Sequence, residues 1–222
     1  MIEGVWAAVP VKEFAGAKQR LSPLLTPAQR RALAAAMLED VLAALAAARL
    51  AGVMVNTLDP RARTLACRYG ARVVAADARS GHTGAVAAMA AILTEEGAAG
   101  MLTCPGDIPA ITPAEVAEVL DGHGAPPAFT IVAAHDQRGS NAILISPPDA
   151  MALRFGDDSF LPHLDAARTH GLTPRIVQAA GIALDLDNPD DARAFMAAPQ
   201  ARGTRAWALL AEFVGGDLTQ TG

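Results

Sequence analysis

With 222 residues, 52% of them hydrophobic, 18% charged, and a formal net charge of −5, the chain carries enough apolar material for one α/β domain spanning 1–222. The lack of a Lys/Arg-rich block argues against a nucleic-acid partner, which needs a basic face, and apolar runs broken by charge well short of 18 residues argue against a membrane span. An acid in MIEGVWAAVPVK, where a signal peptide wants cations, gives a cytoplasmic expectation.

GVWAAVPV (4–11) reads as a first strand, and EFAGAKQRLSPLL after it as irregular. TPAQ at Thr26 places an N-cap threonine, Pro27 at the first helical position and Gln29 at the third, so a long helix should run to about Arg49. AGVMVNT is a second strand, DPRARTLACRYG a helix closed by Gly70, and ARVVAAD a third strand. GHTGAVAAMAAILTEEG reads as a helix ending at Gly97, and AGMLTC as a fourth strand. TPAE (112–115) opens another helix, to about Asp121. AFTIVAAH (128–135) and NAILISP (141–147) are strands around a polar turn, with a helix inside SFLPHLDAARTHG. TPRIVQ is a strand, IALDLD a short one, and NPDDARAFMAA a helix capped by Asn188 with Pro189 first. AWALLAEFVGG is helical, followed by frayed residues, and its apolar face can pack on its own domain or in a homodimer, the former being the default. Strands alternating with helices through the first 120 residues imply a mostly parallel sheet, and the later pair makes it mixed. Cys67 and Cys104 leave a disulfide or a metal site open, but isolated cysteines in a reducing compartment are expected as buried small hydrophobes.

Open α/β sheets bind ligands outside the carboxyl ends of their strands. Asp107, in PGDIP just past the fourth strand, sits on that rim, where it suits a divalent cation or caps a turn. In LDLDNPDD (184–191), Asp185 and Asp187 alternate on the short strand and so share a side. Carboxylates side by side repel unless a cation or proton lies between them, and Mg²⁺ takes one or two carboxylates plus substrate phosphates. A helix-start acidic cluster accounts equally for Asp190 and Asp191, though Asp185 lies too far upstream for it. Lys12, Lys18 and Arg20 follow the first strand on the same rim, placed for a triphosphate or merely solvated. Gly139, Ser140 and Asn141, with Gly156 and Ser159, offer small polar groups for an anion, or form an ordinary turn and N-cap. Gly81 and Gly84 permit close approach of a base or ribose, or make a plain turn. The five histidines show no metal-ligand spacing, and neither a Gly-x-Ser-x-Gly elbow nor a Walker loop is present.

Taken in order, PVKEFAGAKQRLSP, PGDIP, GSNAILISPP, RFGDDSF and LDLDNPDD resemble the 2-phospho-L-lactate guanylyltransferases of deazaflavin coenzyme (F-420) biosynthesis, from about residue 5 to about residue 196. The resemblance implies a Rossmann-like nucleotidyltransferase fold: a three-layer α/β sandwich on a mostly parallel mixed sheet. It implies transfer of a guanylyl group from GTP to a phosphorylated three-carbon acid (2-phospho-L-lactate, phosphoenolpyruvate or 3-phosphoglycerate) with release of diphosphate. Asp107, Asp185 and Asp187 would then hold Mg²⁺, and Asn141, Gly156 and Ser159 the acid. Val11, Lys12, Lys18, Gly81, Thr83 and Asp107 would line the nucleotide, with Lys12, Lys18, Arg20 and Asp107 as catalytic groups. Gly81-His82-Thr83 stands where relatives often carry Gly-Leu-Asn, so base selectivity rests on a hydroxyl in place of an amide. A cytidylyl or molybdopterin-type nucleotidyltransferase, a nucleotide-sugar glycosyltransferase and a nucleotide-sensing domain are the alternatives.

Overall fold

The computed structural model describes residues 2–77, 80–156 and 158–215. Seven strands form one sheet: β1 (Val5–Pro10), β2 (Gly52–Asn56), β3 (Arg72–Val74), β4 (Gly100–Thr103), β5 (Ala128–Ala133), β6 (Ser140–Ser146) and β7 (Pro174–Ile176), in the order β3-β2-β1-β4-β6-β5-β7. β1 is parallel to β2 and β4, β2 to β3, and β5 to β7, while β6 runs antiparallel to both neighbours. The first three strands step outward on one side of β1, and β4 then joins β1 on the other. That reversal opens a crevice at the carboxyl ends of β1 and β4, where such sheets bind ligands.

Side-chain alternation along the strands divides the core in two. Val5, Ala7 and Val9 of β1 join α1 (Pro27–Ala46), α2 (Pro60–Arg68), α4 (Pro113–Asp121), α6 (Ala180–Ala183), α7 (Pro189–Ala197) and α8 (Arg205–Val214) on one face. Ala8 joins α3 (Gly81–Glu95) and α5 (Phe160–Thr169) on the other, which completes the three layers. The proline-marked helix starts form as their sequences require. Thr26 with Gln29, Thr112 with Glu115 and Asn188 with Asp191 each make a reciprocal capping box.

Three expectations need correction. IALDLD is not a strand: Ile182 and Ala183 end α6, and Leu184 to Asp187 belong to no strand or helix. Gly181 N–H donates to Glu115 Oε1 at 2.6 Å, and a Cβ there would lie 2.2 Å from Ala110 O. Only glycine lets this turn dock so closely. Cys67 is exposed, unlike the buried Cys104, and both are free. The first long helix stops at Ala46, short of Arg49. At the C-terminus, α8 packs on α1. Its N-terminal amides at Arg205 and Ala206 donate to the buried Asp40 at 3.0 and 2.9 Å. The frayed tail anticipated after residue 215 lies outside the described residues.

Candidate active site

The loop after β1 is fastened at its start and again three residues on. Val11 N–H donates to Asn56 O at 2.9 Å, and Phe14 N–H to Asp59 Oδ2 at 2.9 Å. Asp59 Oδ1 meanwhile caps α2 through Arg61 N and Ala62 N. The loop ends at Lys18, held in the left-handed region at φ 54°. From there the Lys18 ammonium reaches across the crevice and donates to Asp107 Oδ2 at 2.6 Å and to Asp187 Oδ1. Its side chain is only 9% exposed. Burial opposes the charge on Lys18, but Asp107 and Asp187 more than offset this and raise its pKa. Burial likewise opposes ionisation of Asp107, and the Lys18 charge and hydrogen bond override it, so the carboxyl is held below its ordinary value.

Asp185 and Asp187 come to this place without a strand. Leu184 and Leu186 are buried and alternate with the two acids, so the period-two alternation persists without a ladder. Leu186 N–H donates to Asp107 O at 3.1 Å, tying this stretch to the turn after β4. The Asn141 amide nitrogen donates to Ile182 O, Ala183 O and Asp185 Oδ1 at 3.1, 2.9 and 3.1 Å. That nitrogen therefore holds Asp185 in place. Burial raises the Asp185 pKa against the Asn141 hydrogen bond, and the charges of Asp107 and Asp187 raise it further. Asp191 belongs to the helix start, as the capping pattern anticipated: its Oδ2 accepts from Asp187 N and Asn188 N. Among the described residues, no three His, Cys, Asp or Glu side chains converge as a metal-binding group. The convergent pair is Asp107 with Asp187, around the Lys18 cation.

Two cavities meet there. One, of about 570 Å³, lies under the loop after β1 and is lined by Val11, Lys12, Lys18 and Asp107 among others. The second, of about 750 Å³, is walled by Arg20, Gly81, Thr83, Asn141, Gly156, Ser159 and Asp185. Lys12, His82, Pro105, Asp107 and Asp187 line both. Every residue that the resemblance assigns to the site thus faces one cavity or the other, whereas Gly84 lines neither and packs against Ser80. Gly81 and Thr83, however, share a wall with the residues expected to hold an acid. The Thr83 hydroxyl is also engaged: it accepts from Phe155 N–H at 3.0 Å and donates to Phe155 O at 3.4 Å. It clamps the loop before α5 to the start of α3.

The histidines were the residues that sequence spacing overlooked. His82 lies on the shared boundary, its ring centroid 4.4 Å from that of Phe155. Burial lowers its pKa to about 4, against Asp107. His135 stands at the rim of the second cavity, 3.6 Å from Asp185 and 3.5 Å from Asp191. His163 is buried behind the same wall. Their sequence positions follow no ligand pattern, and only the strand crossovers bring them together.

A doubly flanked mixed sheet with acids and cations at its switch point has the nucleotide-diphospho-sugar transferase-like architecture. A protein from Desulfovibrio desulfuricans G20 ascribed to that class superposes with a TM-score of 0.74 at 16% identity, covering 95% of each chain. The chain belongs to the CofC-like guanylyl transferase family, whose description matches residues 5–210. It is 38% identical over 187 residues to the phosphoenolpyruvate guanylyltransferase of Rubrobacter xylanophilus, covering 84% of this chain and 91% of the relative. To the 2-phospho-L-lactate guanylyltransferase of Methanothermobacter thermautotrophicus it is 34% identical over 185 residues, covering 83% and 81%. The protein is accordingly a nucleotidyltransferase of the guanylyl type.

Proposed function

We propose that the protein transfers the guanylyl group of GTP to a phosphorylated three-carbon acid, releasing diphosphate, and that residues 1–222 act as one nucleotidyltransferase domain. The carrying observation is the Lys18-bridged pair of Asp107 and Asp187 at the junction of two cavities. A reaction that joins two anions needs two compartments meeting at a charge-managing centre. A phosphate oxygen of the acid attacks the α-phosphorus of GTP. The new O–P bond forms as the bond from that phosphorus to the diphosphate breaks. The nucleophile is already ionised, so positioning and electrostatics supply the catalysis and no base is required.

Two carboxylate oxygens aimed at one cation, here the Lys18 ammonium, also fit a hard dication, which takes one or two carboxylates and completes its shell from phosphates. Asp107 and Asp187 would hold Mg²⁺, which when bound supplies charge neutralisation on the phosphates. Asp185, fixed by Asn141 and half enclosed by like charge, backs that pair. Lys18 keeps the carboxylates ionised and convergent. Lys12 and Arg20, on the walls of the joined cavities, stabilise the departing diphosphate. Val11 shapes the nucleotide side of the cleft, Gly81 and the Thr83 clamp stand in the second cavity beside the boundary with it, and Gly156 and Ser159 face the acid.

The test is diphosphate release by purified protein with Mg²⁺, crossing GTP, ATP, CTP and UTP with phosphoenolpyruvate, 2-phospho-L-lactate and 3-phosphoglycerate. Release confined to GTP and one or more of the acids supports the reading. Release with CTP instead, or with no pair, refutes it.

A further inference from the structure

Behind the second cavity a chain of hydrogen bonds runs in one direction. Arg154 N–H donates to His163 Nε2 at 3.1 Å. That nitrogen must therefore be unprotonated. Burial lowers the His163 pKa to about 4, so the ring is neutral near pH 7 and its single proton sits on Nδ1. Nδ1 lies 3.0 Å from Ser140 Oγ and donates to it, with the Ser159 backbone carbonyl as a second acceptor beside the ring. Ser159 Oγ donates to Ser140 Oγ at 3.2 Å. Ser140 thus receives two hydrogen bonds, and its own hydroxyl proton has no acceptor among the described residues. If the serine–serine bond is reversed, the leftover proton is that of Ser159. In both arrangements the pair ends in one O–H that no described residue accepts, at the wall of the second cavity, which both serines line.

The imidazole sets this direction because it is locked. His163 is 2% exposed. Its ring meets the edge of Phe155 at 5.1 Å between centroids and 64° between planes. Phe155 is in turn fixed by the Thr83 clamp and the His82 ring. A wall that presents a donor complements an anionic oxygen.

We propose that His163 is a positioning residue which fixes the Ser140–Ser159 pair as a hydrogen-bond donor to a carboxylate or phosphate oxygen of the acceptor acid. This rests on reading the second cavity as the acceptor side. It also ties that side to the nucleotide loop, since Thr83, His82, Phe155, His163 and Ser140 are in unbroken contact.

The experiment compares wild type, His163→Leu, His163→Asn and Ser140→Ala in the full-length protein. Each is measured for phosphoenolpyruvate Kd by calorimetry and for KM of GTP and acid. Leucine removes the donor, while asparagine places an amide N–H near the position of Nδ1. Loss of one hydrogen bond to a charged group raises acid Kd and KM about tenfold or more in His163→Leu and Ser140→Ala. GTP KM stays within about twofold in all variants, and His163→Asn recovers most of the loss. The double variant His163→Leu/Ser140→Ala is no worse than either single one, as expected for groups acting through one bond. Unchanged acid Kd in His163→Leu overturns the proposal. So does an equal rise in GTP and acid KM in both the Leu and Asn variants, which marks a merely structural histidine. A wild-type protein that binds the acid without transferring guanylyl would refute the functional reading instead, and the Kd comparison would still decide the His163 role.

Discussion

Replacing Lys18 with methionine keeps most of the side-chain volume and removes the charge between Asp107 and Asp187. At 2.6 Å the attraction to Asp107 is about 6 kcal/mol for an effective dielectric of about 20. Desolvation of the partners cancels much of that gain. Breaking a buried pair by removing one member costs roughly 3–5 kcal/mol. The low end, about 3 kcal/mol, applies because the Asp107 and Asp187 side chains keep 30% and 44% exposure. The pH dependence follows from the two shifts. The Asp107 carboxyl is depressed in the fold, so its contribution is present above the unfolded value near 4 and is lost as pH falls through the folded one. Lys18 is raised, so its contribution is complete below about 10.4 and is lost only at more alkaline pH. In the variant, burial acts on Asp107 unopposed and favours the protonated acid. Urea unfolding of both proteins from pH 4 to pH 9 should therefore show a gap of about 3 kcal/mol at neutral pH that narrows as pH falls towards 4, as Asp107 becomes protonated in the variant. A gap below about 1 kcal/mol at pH 7, the range of a surface pair, would refute the reasoning, and so would a gap independent of pH.

Two further substitutions probe the supports of the site. Gly181→Ala drives a methyl against Ala110 O and should lower stability by about 1–3 kcal/mol while shifting Asp185 and Asp187, read as a lower Tm with lost activity. Retention of both would mean that the α6 turn does not set the acids. At Gly156 an added Cβ meets nothing within 4 Å. Gly156→Ala should therefore leave stability unchanged or raise it by up to about 1 kcal/mol. Its methyl should crowd the second cavity, seen as a higher acid KM at constant GTP KM. An unchanged acid KM would place the acid elsewhere.

Local rules in the sequence carried much of the fold. Thr-Pro and Asn-Pro starts needed only their own first turns, and the strands around β1 announced themselves as short apolar runs. IALDLD misled because its alternation is real while its ladder is absent. The segment spends its backbone bonds on Asp107 and on the Glu115-anchored turn, a choice made by distant residues. The carboxylates and the Lys18 loop could be read from their places after strands. That Lys18 would also lie between the acids depends on a left-handed residue at the loop end. The Asn141 amide and the Thr83 hydroxyl, expected as ligand contacts, also have roles within the fold that no local pattern announces: the Asn141 nitrogen holds the α6 turn and Asp185, and the Thr83 hydroxyl clamps Phe155. The His163 chain was invisible because its members, Arg154, His163, Ser140 and Ser159, meet only when β6 and α5 pack together.

The account turns on Asp107 and Asp187 as the centre at which guanylyl transfer occurs. Single-turnover transfer from GTP by Asp107→Asn tests it most directly, because the amide keeps shape and removes charge. The account predicts a rate lower by about 10²–10³, the scale of losing one key electrostatic contact, measured at a temperature where the variant, destabilised by its weakened pair with Lys18, is still folded. Transfer within about threefold of the wild-type rate, well short of that loss, would contradict it and leave Asp107 as the cap of a turn.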